Sequence, residues 1–130
     1  MAFAPSESFE RGIETRRAVL GDEYVDRALA GVADEFLRDI QEYATEVCWD
    51  RVWNREGLSR RDRSILNLGM ITALNRPHEL KAHVRGAINN GLTKPEIKEI
   101  LLQTAIYCGL PASLDSYRVA KEVLTEMGVE

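Results

Sequence analysis

Hydrophobic residues recur along this chain at intervals of three and four, the spacing that puts them on one face of an α-helix. The clearest stripe comprises Ile97, Ile100, Leu101, Thr104 and Ala105. Just before it, Thr93 and Glu96 are spaced as a capping box, in which each side chain accepts a hydrogen bond from the other residue's backbone N–H. Gly109 and Pro111 are typical of a helix end. The pattern therefore predicts a helix between Thr93 and Gly109.

The same spacing predicts helices along most of the remaining sequence. We expect them at 7–19 and 22–30, separated by Gly21; around Phe36, Ile40, Tyr43 and Val47, closed by Gly57; from an N-cap at Ser59 through Leu74; from Pro77 to Asn90; and at about 112–127. No segment alternates polar and apolar residues as a strand would. The predicted fold class is all-α, a bundle of six or seven helices joined by short links.

The helix predicted after Ser59 is apolar on more than one face. Its hydrophobic residues are Ile65, Leu66, Leu68, Met70, Ile71 and Leu74. A helix that is apolar around most of its circumference is normally buried on all sides. We therefore expect either the central helix of a bundle or a subunit interface.

Length and composition narrow the class of protein. The 130 residues fit a single domain over 1–130 at the usual ~100–200 residues. Seventeen Lys and Arg against twenty-one Asp and Glu give a net charge of −4, which argues against a nucleic-acid partner. No apolar run approaches the ~20 residues that span a bilayer, and the N-terminus lacks the regions of a signal peptide.

The two cysteines, Cys48 and Cys108, lie too far apart in the sequence for a CxxC or zinc motif and form no disulfide framework. This usage predicts a cytoplasmic protein. Each cysteine is most simply a small buried hydrophobic side chain. Trp49 and Trp53, four residues apart, share a helix face and are expected to serve in packing rather than in ligand contacts.

Glu79 and His83 are four residues apart at the start of the helix after Pro77, so they share a face. The helix dipole favours a carboxylate in the first turn, and a carboxylate beside an imidazole can orient it for acid–base chemistry. The alternative is an ordinary surface pair. We expect His83 to be partly buried, because it borders the apolar stripe of this helix, and His78 to cap the helix or to lie in solvent.

Arginine residues offer several places to bind an acidic ligand, because guanidinium groups bind carboxylates in bidentate geometry. They form a cluster at Arg55, Arg60, Arg61 and Arg63, and others stand at Arg16, Arg17 and Arg27. Each group is alternatively a solvated surface with interspersed acidic residues. Asp50 and Arg51 fall near the end of the Phe36–Val47 stripe, where they either end its buried part or point into a pocket.

Four segments of the sequence resemble the carboxymuconolactone decarboxylase family. They are REGLSRRDRS at 55–64, HVRGAINNGLT at 83–93, YCGLPA at 107–112 and, less generally shared within the family, RRAVLGDEYVDR at 16–27. Together they cover nearly the whole chain. The resemblance implies an all-helical fold of the alkylhydroperoxidase D-like type, assembled as a homo-hexamer from three dimers.

The resemblance also implies an activity and a site. The expected reaction is the cofactor-free loss of CO2 from an acidic lactone, 4-carboxymuconolactone, giving the 3-oxoadipate enol-lactone in aromatic catabolism. His83 is expected to donate the proton and Glu79 to orient it. Substrate carboxylates are expected to meet one or more of Arg16, Arg17, Arg27, Arg51 and Arg85. No metal or other cofactor is implied.

Two departures from related sequences refine this expectation. Peroxidase relatives carry Cys-x-x-Cys-x-x-x-His on this helix, whereas Arg76 and Glu79 stand at the cysteine positions here. Thiol peroxidase activity is therefore not expected. Before the second tryptophan the decarboxylases usually have an acidic residue, whereas this chain has Arg51 at that position. This change leaves open a related lyase or isomerase acting on another acidic lactone or a β-keto acid, and a non-catalytic oligomer subunit is a further alternative.

Overall fold

The all-α fold class is confirmed by a computed structural model, which describes residues 3–130 and has no strand within them. The helices are α1 (Glu7–Leu20), α2 (Asp22–Ala30), α3 (Glu35–Tyr43), α4 (Arg60–Leu74), α5 (Pro77–Asn89), α6 (Lys94–Cys108) and α7 (Leu110–Glu126). A short 3-10 turn, Gly31–Ala33, precedes α3, and a π-helical segment, Ala44–Val52, follows it. None of the helices in this part of the chain is long and apolar enough to cross a bilayer.

The chain divides into two compact units, one ending at Leu58 and the other running from Ser59 to Glu130. The second unit holds α4 to α7 around one hydrophobic core. Its buried members are Leu68, Leu80, Val84, Ala87, Leu92, Ile97, Leu101, Ala120, Val123 and Leu124. The stripes predicted on α5 and α6 supply most of this cluster, and each fully buried leucine or valine contributes about 1.5–3 kcal/mol.

Local sequence signals set the ends of the helices in the second unit. Ser59 Oγ accepts from the backbone N–H of Asp62 (3.0 Å) at the start of α4. The capping box at α6 is confirmed, because Thr93 and Glu96 each accept from the other's backbone N–H. Helix α6 ends at Cys108, before Gly109 as predicted, and Pro111 lies in the first turn of α7, where its missing N–H costs little.

The first unit departs from the predicted uniform helix between Phe36 and Gly57. The backbone widens into π-helix at Ala44, and its last hydrogen bond runs from Trp53 N to Cys48 O (2.9 Å). Wider turns change which side chains face inward. Thr45, Trp49 and Trp53 are therefore buried, and the two indole rings stack with their centroids 4.8 Å apart.

The apolar stripe on α3 is not buried as expected. Phe36, Ile40 and Tyr43 are 89%, 57% and 63% exposed, and Val47, already in the π-helix, is half-buried. These three exposed residues lie in the regular α-helix, and only Val47 lies beyond Ala44, where the helical type changes. Nothing in the sequence pattern signals this change.

Helix α1 approaches the π-helix closely at Gly12. A Cβ at this position would lie 2.1 Å from the backbone oxygen of Thr45, which cannot rotate away. We expect Gly12→Ala to lower the free energy of unfolding by about 1–3 kcal/mol through overpacking, measured by urea denaturation. Gly31→Ala is the control, because its new methyl group would meet neighbours at 3.6–3.7 Å and its φ is −66°. A Gly12→Ala protein as stable as the control would contradict this close contact.

Candidate active site

His83 lies on α5 between two buried residues, Ala82 and Val84, and its own side chain is half-buried. The expected partial burial is therefore confirmed. Across the α4–α5 contact, Asn67 Nδ2 lies 3.3 Å from His83 Nδ1. An imidazole held in this way is restricted in orientation while still reaching the protein surface.

The contact with Asn67 relates to which nitrogen of the neutral His83 ring carries the proton. The amide nitrogen of Asn67 is a donor, so this contact is a hydrogen bond when the ring is neutral and carries its proton on Nε2. Asn67 was not among the residues predicted from the sequence. The sequence feature that could have pointed to Asn67 is an asparagine beside Leu68 in a helix rich in apolar residues. Such a feature does not indicate which residue the amide contacts.

Glu79 is exposed in the first turn of α5, one helical turn before His83. The positive end of the helix dipole favours its carboxylate. His78 is exposed beside it. Within a single chain this face of the helix is not sealed, because Glu79 is exposed and His83 is half-buried.

Three of the five predicted carboxylate-binding arginines already bind acidic groups of the protein. Arg17 pairs with Asp22 and Asp26, Arg27 with Glu23, and Arg85 with Glu126. The hydrogen bonds that Arg17 donates to Asp26 and Asp22 raise the pKa of its guanidinium. Arg51 is exposed near the end of the π-helix. None of these four arginines is buried.

Arg16 differs from the others because it is buried, with 7% of its surface exposed. Its Nη1 donates to Gln41 Oε1 (3.0 Å) and Thr45 Oγ1 (3.4 Å), which are both neutral groups. Its Nε is buried and has no hydrogen-bond partner, and no carboxylate within residues 3–130 forms an ion pair with it. Burial lowers the pKa of this guanidinium, although an arginine stays protonated at neutral pH.

Asp50 ends the buried part of the π-helix by linking it to α1. It accepts from Ser8 Oγ (2.8 Å), from Arg11 and from Asn54. The hydrogen bonds from Ser8 and then Arg11 lower the pKa of Asp50. Its carboxylate therefore has a structural role, because it joins the π-helix to α1. Asp50 thus fits the first of the two alternatives that the sequence left open.

The prediction that both cysteines are buried is wrong. Cys48 and Cys108 are exposed and form no disulfide. In the π-helix, the next residue, Trp49, takes the inward position. At the end of α6, Cys108 and its neighbour Tyr107 both lie on an exposed apolar surface.

The arginine cluster at the start of α4 already has one acidic partner within the protein, because Arg61 forms an ion pair with Glu96.

Two grooves indent the second unit. One, of about 440 Å³, lies between α4 and α6 and is lined mainly by apolar residues, including Leu66, Met70 and Tyr107. The other, of about 620 Å³, has an apolar floor between α6 and α7 with lysines around it. Neither is lined by His83 or Glu79. Within residues 3–130, no three metal-ligating side chains converge.

A half-buried imidazole can serve as a general acid–base catalyst when it reaches the substrate. Comparison with known proteins supports an enzyme. Residues 38–122 match the profile of the Carboxymuconolactone decarboxylase family. The chain is 39% identical over 123 residues to a 4-carboxymuconolactone decarboxylase of Acinetobacter baylyi, covering 95% of the chain and 91% of that relative. It is 45% identical over 119 residues to a nitrosuccinic acid decarboxylase of Metarhizium robertsii, covering 92% and 82%.

The chain therefore belongs to the carboxymuconolactone decarboxylase family. Both of these relatives are named as decarboxylases although their named substrates differ. The shared activity identifies this protein as a carboxy-lyase. The predicted family and enzyme class are confirmed.

Proposed function

We propose that the protein decarboxylates 4-carboxymuconolactone to the 3-oxoadipate enol-lactone, a step of aromatic catabolism, with His83 as the general acid. The observation that supports this proposal most directly is the half-buried His83 ring and its Asn67 contact, in a chain closely similar to a 4-carboxymuconolactone decarboxylase. The reaction needs no redox change and no metal. It needs an electron acceptor in the substrate and a proton from the protein.

The bond that breaks joins the leaving carboxylate to a carbon vinylogous to the lactone carbonyl. As CO2 leaves, the electron pair of that bond moves through the ring C=C into the carbonyl and forms a dienolate. Protonation of carbon then completes the reaction, so one proton is consumed for each CO2 released. In the proposal, the His83 imidazolium supplies this proton, becomes neutral and is reprotonated from solvent. Glu79, one turn away on the same helix, is proposed to orient the ring.

The substrate also carries a carboxylate that stays behind, and we propose that Arg16 binds it. Arg16 is buried without a carboxylate partner, so an anionic ligand would supply the countercharge that its surroundings lack. Arg17, Arg27 and Arg85 have acidic partners within the protein. Arg51, which is exposed, is a secondary candidate for this role.

Nitrosuccinic acid is a second candidate substrate, because the relative that acts on it is 45% identical to this chain. The chemistry is parallel. A nitro group on the carbon that carries the leaving carboxylate accepts the electron pair as a nitronate, and carbon is then protonated. Both compounds are diacids that lose one carboxylate and keep the other. The same proton donor and the same arginine would serve either substrate.

The test is to supply the purified protein with each acid separately, and with a β-keto diacid, while following CO2 release. We expect turnover of 4-carboxymuconolactone without added metal or cofactor, at a kcat/KM at least ~10-fold above the other acids. Higher kcat/KM for nitrosuccinic acid would replace the first substrate by the second. No release of CO2 from any of these acids would contradict the proposed function.

We further propose that the protein is a homo-oligomer, a hexamer by its resemblance to the family, and that it works in the cytoplasm. The second unit exposes large apolar side chains on three helices. They are Leu66, Met70, Leu74, Leu102, Ile106, Tyr107, Leu110 and Leu114. A monomer rarely exposes so many in one region, and several of them border the 440 Å³ groove.

This surface predicts a response to a single charge. Met70 is 45% exposed and lines the groove between α4 and α6. A glutamate there would be buried without a partner at an interface, so Met70→Glu is expected to dissociate the oligomer, as measured by light scattering after gel filtration. Lys98→Glu, which adds negative charge at the other groove, is the control. A wild-type monomer would contradict the proposed assembly.

A further inference from the structure

We propose that Gln41 is a positioning residue that holds Arg16 through a neutral oxygen and so keeps the charge of the guanidinium available to a ligand carboxylate. The inference rests on the proposed function, in which Arg16 binds the carboxylate that the substrate keeps. Its basis is the hydrogen bond from Arg16 Nη1 to Gln41 Oε1 (3.0 Å), which joins α1 to the end of α3. Gln41 would act on the ligand through Arg16 and would not touch it.

The protein's own acceptors for Arg16 occupy a single nitrogen of its guanidinium. Nη1 carries two hydrogens, and it donates to Gln41 Oε1 and to Thr45 Oγ1 (3.4 Å). A guanidinium has five N–H groups in one plane, so one on Nε and two on Nη2 remain. Among the residues that the structure describes, neither nitrogen has a hydrogen-bond partner, and Nε is buried whereas Nη2 is not. A carboxylate can therefore approach from the Nη2 side, which Gln41 and Thr45 leave open.

Close packing of α1 on the π-helix brings these groups together. Gly12 and Arg16 lie one turn apart on α1, and the missing side chain of Gly12 lets α1 approach the backbone oxygen of Thr45. Gln41 and Thr45 are four residues apart, on either side of the point where α3 becomes π-helix. Turns of π-helix are rare and frequently occur at functional sites. Both acceptors of Arg16 therefore stand on helical backbone, which restricts where the guanidinium can point.

The identity of residue 41 decides how much of its charge Arg16 keeps for a ligand. An amide oxygen accepts the hydrogen bond without a formal charge, so the positive charge of the guanidinium stays uncompensated. A glutamate at position 41 has the same length and would form an ion pair with Arg16, as Asp22 and Asp26 do with Arg17. The new carboxylate would also repel an anionic ligand. The amide therefore favours ligand binding at the expense of stability, because a buried charge without a countercharge is costly.

A purely structural role for Gln41 is the competing interpretation, and it predicts a different relation between stability and affinity. If Gln41 served only to join α3 to α1, a substitution that strengthens this contact would leave ligand binding unchanged. In the proposal, Gln41→Glu strengthens the contact and weakens binding. Gln41→Met removes the acceptor and adds no charge, so it should weaken the contact and lower the affinity only slightly. Stability and affinity therefore change in opposite directions in Gln41→Glu alone.

The experiment measures succinate binding by isothermal titration calorimetry and stability by urea denaturation, because this diacid lacks the electron acceptor that decarboxylation needs. We expect Gln41→Glu to raise the denaturation midpoint and to raise the Kd for succinate at least ~10-fold, the effect of losing a charge-assisted hydrogen bond. Gln41→Met should lower the midpoint and raise the Kd about 2- to 5-fold. Phe36→Glu, which adds the same charge where α3 is 89% exposed, is the control and should keep the Kd within about twofold. An unchanged Kd in Gln41→Glu overturns the proposal.

Further comparisons separate this inference from the proposed function. In an Arg16→Met background, Gln41→Glu should change the Kd no further, because the charge that it compensates is absent. A ~10-fold effect that persists in that background overturns the inference, and so does a wild type that binds no succinate. A wild type that binds succinate but releases CO2 from none of the tested acids contradicts the proposed function and leaves the comparison of Gln41 variants valid. Decarboxylation with an unchanged KM in Gln41→Glu overturns the inference alone.

Discussion

His83→Ala is expected to lower kcat for decarboxylation by at least ~100-fold, the low end of what a general acid contributes. The variant keeps the groups that bind the substrate, so KM should change much less than kcat. Loss of the half-buried hydrogen bond to Asn67 should lower the stability of the fold by about 1 kcal/mol. The measurement is steady-state CO2 release, with circular dichroism to confirm that the variant is folded.

The chain offers a matched control, because its other histidine, His78, lies five residues earlier and is exposed at the start of the same helix. His78→Ala should retain wild-type kinetics. A further readout is rescue: imidazole in the buffer should restore part of the activity of His83→Ala, because the missing function is proton donation. Unchanged turnover in His83→Ala would eliminate His83 as the acid.

The sequence predicted the second unit well because local signals and the hydrophobic pattern agree there. The capping box of Thr93 and Glu96 and the stripe through Ile97 and Leu101 are both present as expected. The burial of His83 followed from its position beside the stripe of α5. Its hydrogen bond did not, because Asn67 lies 16 residues away and their contact depends on how α4 packs on α5.

The first unit was predicted less well, and for one physical reason. Periodicity arguments assume a constant number of residues per turn, and the π-helix at Ala44–Val52 breaks that assumption. Within that segment, Thr45 is fully buried and contacts Arg16, a position that the α-helical stripe through Phe36 and Ile40 did not predict. The sequence did not rank the five candidate carboxylate-binding arginines. The structure does, because it reveals which guanidinium is buried without a carboxylate partner.

That distinction leads to the second prediction with a large effect. Arg16→Met should raise KM for a diacid substrate by about 10- to 100-fold, the effect of losing a charge-assisted hydrogen bond. The effect should fall on KM more than on kcat. A cation on the carboxylate that stays behind interacts equally with the ground state and the transition state. A cation on the leaving carboxylate would instead oppose the loss of its charge.

The same substitution should leave the fold as stable as the wild type or make it more stable, by up to about 1–4 kcal/mol, because methionine replaces a buried charge that has no carboxylate partner. A structural arginine would show the opposite, a loss of stability with little change in KM. Urea denaturation and steady-state kinetics on the one variant therefore distinguish the two roles. Arg17→Met is the comparison: it removes an arginine that is paired with Asp22 and Asp26, so KM should stay near the wild-type value.

A substrate analogue tests the assignment of Arg16 independently. Methyl esterification of the carboxylate that stays behind removes the charge that Arg16 is proposed to bind. The ratio of kcat/KM between the wild type and Arg16→Met should then fall from about 10- to 100-fold toward one, because the variant has nothing further to lose. A ratio that stays large with the ester would show that Arg16 acts on another part of the substrate or on the fold.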